Sequence, residues 1–103
     1  MGQTTTIMPF NTGTVINGAT PTQIIPPNPS RGALLIHNPN VGAGAAIWIA
    51  PLGTTPAVNG AGSYVIFSGA DRLFIDATRA TCGWSAIYGI AGTGGVSVLE
   101  FVQ

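Results

Sequence analysis

The side chains of this chain that could do ionic, acid–base or thiol chemistry are few. They are Arg31, Arg72 and Arg79, the acids Asp71, Asp76 and Glu100, one histidine, His37, and one cysteine, Cys82. There is no lysine. A general base needs a partner that orients it and a reacting group within reach. His37 closes the apolar run 33–36 and precedes Asn38 and Pro39, a position that suits a hydrogen-bonded strand end. Asp71 and Asp76 bracket Arg72. If 72–76 is a strand, Arg72 and Asp76 share a face and Asp71 points the other way, which opposes a catalytic carboxylate pair. An enzyme built from these groups would need a pocket joining His37 to Asp71 or Asp76. Turn capping by Asp71 and ion pairing by Asp76 account for the same residues, and no catalytic residue is assigned.

Arg79 follows Asp76 by three positions, so Asp76–Arg79 is the expected salt bridge. Glu100 reaching Arg31 or Arg72 is the second pairing considered. Cys82 has no partner for a disulfide within the chain and reads as a small core group. One histidine, one cysteine and three scattered acids give no metal-ligand spacing, so neither metal nor cofactor is expected. Gly92, Thr93, Gly94 and Gly95 lack the lysine and the following helix of a phosphate loop and read as a hairpin turn. Trp48, Tyr64, Trp84 and Tyr88 either form a sugar-stacking platform or pack in the core.

The composition narrows the classes further. Of 103 residues 6% are charged, against roughly 25% in an ordinary domain, while 46% are apolar and 15 are glycine. Neutralising nucleic-acid phosphates takes clusters of Lys and Arg, and none exists. No apolar run approaches the roughly 20 residues of a membrane-spanning helix. No charged segment followed by an apolar one opens the sequence, so no secretory signal is expected. The first six residues fit the short myristoylation pattern M-G-x-x-x-[ST]. A formal net charge of zero favours association, which suits a protein that works in an assembly.

These side chains must be held by strands. Short β-branched and aromatic runs at 13–18, 33–37, 46–50, 63–67, 72–76, 85–91 and 95–102 alternate with Gly, Pro and Asn. No segment keeps a helical period. The pattern predicts an all-β fold, a compact antiparallel β-sandwich or jelly-roll-like barrel with an extended N-terminal arm. Residues 1–30 read as a Thr/Pro-rich arm with one short strand, because prolines at 21, 26, 27 and 29 exclude a helix or a central strand. Residues 31–103 read as the sandwich. The strand at the C-terminal end is apolar on both faces, which predicts a central or docked strand.

The runs 33–36 and 46–50 are apolar on consecutive residues, whereas a sandwich buries one face of each sheet. A partner subunit or a neighbour's arm would cover the second face. The alternative turns Ile47 and Ile49 inward and lays Trp48 against a loop. Leu35 and Ile87 read as core positions.

A family likeness rests on Arg31-Gly32-Ala33-Leu34-Leu35-Ile36-His37-Asn38-Pro39, then Ile47-Trp48-Ile49, then Asn59-Gly60-Ala61-Gly62-Ser63-Tyr64. It continues through Trp84-Ser85-Ala86-Ile87-Tyr88-Gly89-Ile90-Ala91 and closes on Val96-Ser97-Val98-Leu99-Glu100-Phe101. Over residues 31–102 the chain resembles small virion proteins of tailed bacteriophages, of the capsid decoration or cement type. The resemblance implies a structural role on the outer capsid surface of a virion. The partner would be the major capsid protein, the assembly a homo-oligomer with a trimer favoured, and nucleic acid and membrane would play no part. The arm would then present Thr4, Ile7, Phe10, Ile24 and Ile25 as candidate interaction residues, with Trp48 and Trp84 beside them. The other reading is a head-fibre, tail or adhesion module recognising a host surface glycan through its aromatic rings.

Overall fold

The computed structural model describes residues 8–69 and 71–102. It contains eight strands and one short 3₁₀ turn. The strands are β1 (Met8–Asn17), β2 (Thr22–Ile25), β3 (Arg31–His37), β4 (Ile47–Pro51), β5 (Tyr64–Ile66), β6 (Arg72–Asp76), β7 (Trp84–Tyr88) and β8 (Thr93–Val102). The 3₁₀ turn, Ala77–Thr81, joins β6 to β7. Two four-stranded sheets form, sheet I in the order β1-β8-β3-β6 and sheet II in the order β2-β7-β4-β5. All six ladders are antiparallel.

The strand order follows from one long folded ribbon. β1 pairs with β8, β2 with β7, β3 with β6 and β4 with β5, so the second half of the chain runs back along the first. Alternate pairs fall in alternate sheets, and the ladders β3–β8 and β4–β7 complete each sheet. This is the jelly-roll arrangement of the β-sandwich. β8 lies between β1 and β3, where a strand apolar on both sides belongs. The glycine-rich segment at 92–95 is not a hairpin turn: β7 and β8 lie in different sheets, so it carries the chain across the sandwich. A Cβ on Gly94 would come 2.7 Å from the Tyr88 ring, so the crossing needs glycine there.

The core is drawn from the inward rows of both sheets. Ile16, Leu34, Ile36, Ile75, Val96 and Val98 come from sheet I, and Ile24, Ile25, Ile47, Ile49, Ile66, Trp84, Ala86 and Tyr88 from sheet II. β-Branched side chains dominate, as their stiff χ1 favours on a pleated surface. Leu34 and Ile36 are fully buried, whereas Leu35 is half-buried. Register explains this, because Leu35 stands opposite Leu99 and Phe74 on the outward row of sheet I. Ile87 is 9% exposed and stands opposite Trp48 on the outward row of sheet II. Leu35, expected in the core, therefore belongs to the outer face, while Ile87 is buried as expected although it stands on the outward row.

The region read as an arm departs from the expectation over its described part. Residues 8–17 extend the strand expected at 13–18 to ten residues along β8. The proline-flanked stretch supplies β2, an edge strand of sheet II. A bulge between Gln23 and Ile25 turns both Ile24 and Ile25 inward, each 3% exposed. At Asn17 and Gly18 the chain turns on a side chain: Asn17 Oδ1 accepts the N–H groups of Ala19 and Thr20.

Candidate functional site

Two polar knots hold the sandwich shut. At one end Arg31 is buried with its side chain fully covered. A bulge places Gly32 as the extra residue of β3, so Arg31 stands opposite Val102 on the inward row rather than outward with Ala33. Its Nε donates to Glu100 Oε1 at 2.8 Å. Nη1 donates to the carbonyls of Ala80 and Cys82, and Nη2 to that of Pro26. One guanidinium thus ties β3 to β8, to the 3₁₀ segment and to the β2–β3 connection. At the other end Asn38 is fully buried. Its amide donates to Ala45 O and Ile66 O, both at 2.9 Å, and its Oδ1 accepts from the main-chain and side-chain N–H groups of Asn40. Asn40 in turn exchanges two hydrogen bonds with the Gly95 main chain. Both donors and both lone pairs of the Asn38 amide are used.

His37 and Asp76 are not brought together. His37 stands opposite Arg72 and Ser97 on the outer face of sheet I, while Asp76 stands opposite Ala33, four residues along β6 from Arg72. At about 3.3 Å per residue that separates the two rows by about 13 Å. The Asp71 carboxylate accepts from the Phe67 N–H. Among the described residues no three of His, Cys, Asp and Glu cluster as a metal would require. Asp76 and Arg79 do pair, at 3.6 Å with both side chains largely exposed. The shorter, buried bridge is Arg31–Glu100. Cys82, read from the sequence as a core group, is exposed and free, since the chain leaves the 3₁₀ turn there at the rim of the sandwich.

The candidate interaction residues divide. Ile24 and Ile25 are spent in the core of their own domain. Phe10 is 49% exposed, and β1 is exposed at every position from 9 to 13. Thr4 and Ile7 lie outside the described residues. Of the aromatic residues, Trp84 and Tyr88 are each 6% exposed and offer no stacking face. Trp48 is half-buried on the outside of sheet II, flanked across the strands by Val65 and Ile87.

What the surface offers is apolar and main-chain contact. The middle outward row of sheet I runs Asn11, Leu99, Leu35, Phe74, and the next includes Phe101 and Ala33. The middle outward row of sheet II is Val65, Trp48, Ile87. Both sheets thus carry apolar side chains on their outward faces: Phe74 is 58% exposed, Leu35, Leu99, Trp48 and Val65 are half-buried, and Ile87 is buried. Between the free edges of β5 and β6 lies a groove of about 340 Å³, with Tyr64, Phe74 and Arg79 at its lining. Trp84 also lines it, and its buried Nε1 has no hydrogen-bond partner.

No protein-family model matches the chain, and neither does any curated protein. One solved structure with a similar course of the chain comes from the pili of Bacillus endospore appendages, a family of disulfide-linked pili. Its TM-score is 0.49 at 12% identity, over 100% of this chain and 96% of that one. A likeness of that degree says nothing about role.

Proposed function

We propose that the chain is a structural protein of a bacteriophage virion, a decoration protein that binds the outer capsid surface and stabilises contacts between capsomers. The observation that carries this reading is the apolar side chains on the outward sheet faces: exposed Phe74 with half-buried Leu35 and Leu99 on sheet I, and half-buried Trp48 and Val65 on sheet II. A sandwich that stood alone would show polar residues there. Contiguous apolar surface on a stable domain marks contact with other protein. The mechanism is mechanical. Each copy buries apolar surface across a boundary between shell subunits, so the shell cannot part there without also breaking those contacts. Many copies sum modest contacts into a firm hold.

The residues that carry the phage likeness have a clear part in this reading. Arg31, Asn38 and Glu100 are the polar knots of the jelly roll, so they support the architecture. The shell-binding role rests instead on the outward rows. The glycan-binding reading draws less support, because Trp84 and Tyr88 show almost no surface.

The test is binding of the purified chain to preformed mature capsids of its own phage. The expected result is saturation at a stoichiometry set by the icosahedral lattice, with shells that resist heating better than undecorated ones. Shells that take up no protein would overturn the reading.

A further inference from the structure

Each sheet ends in two strands whose outer main-chain groups find no ladder partner among the described residues, here β1, β2, β5 and β6. Such edges invite pairing with another chain, and proteins blunt them with proline, bulges or short length. Three of these four edges are blunted. β1 carries Pro9 and Gly13. β2 is flanked by Pro21 and Pro26 and broken by its bulge. β5 has three residues. β6 has neither proline nor bulge, its two charges, Arg72 and Asp76, stand at its ends with opposite sign, and its register with β3 runs unbroken from Arg72 to Asp76.

The order of residues in β6 is self-complementary. It reads Arg72, Leu73, Phe74, Ile75, Asp76: a cation, an aliphatic, an aromatic, an aliphatic, an anion. Laid antiparallel against a second copy of itself with Phe74 at the centre, Arg72 of each copy meets Asp76 of the other. Leu73 meets Ile75, and Phe74 meets Phe74. Opposite charges and aromatic pairs directly across antiparallel strands are stabilising. Arg72, Phe74 and Asp76 share the outward row, all three are exposed, and Phe74 is 58% so. Leu73 and Ile75 continue the inward row.

We propose that two copies of this chain join edge to edge through β6, about a twofold axis at Phe74. Sheet I then runs unbroken through eight strands. The surface is isologous, so it closes after two copies and leaves no free β6 edge. The groove between β5 and β6 opens on the same side, so Tyr64, 57% exposed, comes to lie against the groove of the second copy. Asp76 keeps a second carboxylate oxygen for Arg79 of its own chain. The contact is between copies and is independent of any binding to a shell.

Sedimentation equilibrium of the full chain at micromolar concentration is expected to give twice the chain mass. Arg72→Asp sets like charges opposite each other at both ends of the ladder and should give a monomer. Arg72→Asp with Asp76→Arg restores both pairings and should restore the dimer. Both positions are exposed, and circular dichroism confirms that each variant stays folded. Phe74→Cys in a Cys82→Ser background should form an intermolecular disulfide on mild oxidation, while Val15→Cys, on the far edge of sheet I, should not. A wild-type monomer, trimer or open polymer would overturn the proposal, as would a folded charge-swap variant that stays monomeric. A dimer that fails to bind capsids would overturn the shell reading alone.

Discussion

Among the described residues two ion pairs of the same chemistry sit in opposite surroundings. Asp76 and Arg79 are three residues apart, 3.6 Å from each other and exposed by 61% and 76% at their side chains. Arg31 and Glu100 are 69 residues apart in sequence, meet at 2.8 Å, and are 0% and 14% exposed. In water the first pair competes with solvent and with its own side-chain entropy, so its worth is small. The second is desolvated, which is costly unless every donor is used. Arg31 spends four N–H···O bonds, three of them on carbonyls at the ends of other elements. What separates the pairs is how many parts of the fold each one joins: the buried pair fastens four segments and the exposed pair fastens one turn.

Arg31→Ala is the largest way to break this contrast. It leaves Glu100 and three carbonyls without a partner in a closed site. Removing one member of a buried pair costs about 3–5 kcal/mol, a large share of the about 5–15 kcal/mol that holds an ordinary domain folded. Urea denaturation should show a strongly lowered midpoint, the largest drop among these substitutions. Arg31→Lys should recover little, because an ammonium cannot reproduce the fork that reaches Glu100, Ala80, Cys82 and Pro26 together.

Asn38→Ala tests the second knot and should fall next. The carbonyls of Ala45 and Ile66 and the Asn40 N–H all lose their partner. Each unsatisfied buried group costs about 1–3 kcal/mol, but the knot is near loops through which water can reach the vacated groups. A loss of about 3 kcal/mol is expected by the same denaturation. Hydrogen exchange should show which end gives way: faster exchange at 45 and 66 in Asn38→Ala, and at 82 in Arg31→Ala if that variant retains its fold.

The two pairs also show what a sequence displays and what it hides. Asp76–Arg79 was legible because three positions across a turn is a local relation. Arg31 was one of two considered partners for Glu100, but its burial was not visible. Strand parity sends Arg31 outward with Ala33, and only the bulge at Gly32 reverses it. The glycine before the apolar run was the one available signal. The same device hid Ile24 and Ile25: a bulge turns two successive residues inward, so they read as an exposed arm. β1 was read short because residues 9–13 lie along a sheet edge with both sides open, where no alternation is imposed. By contrast, the interior place of β8 was legible from its apolar character on both faces. The consecutive apolar runs were less telling, since Ile47 and Ile49 turn fully inward while Leu35 and Trp48 are half-buried on the outward rows.

The smallest expected effect completes the comparison. Asp76→Asn and Arg79→Ala each remove half of the exposed pair. Measured exposed pairs contribute about 0.2–1 kcal/mol, and the 3.6 Å separation here lies beyond direct hydrogen-bond contact. At a concentration low enough to keep parent and variants monomeric, the thermal midpoint of either variant should therefore stay close to that of the parent and change little with added salt, since the interaction is already screened by solvent. If Arg79→Ala lowers stability as much as Asn38→Ala, the contrast between the buried and exposed pairs fails. The two substitutions should still differ from each other in association. Asp76→Asn removes a charge from the β6 ladder and should weaken pairing of copies, while Arg79→Ala, in the groove beside the strand rather than in the ladder, should weaken it less.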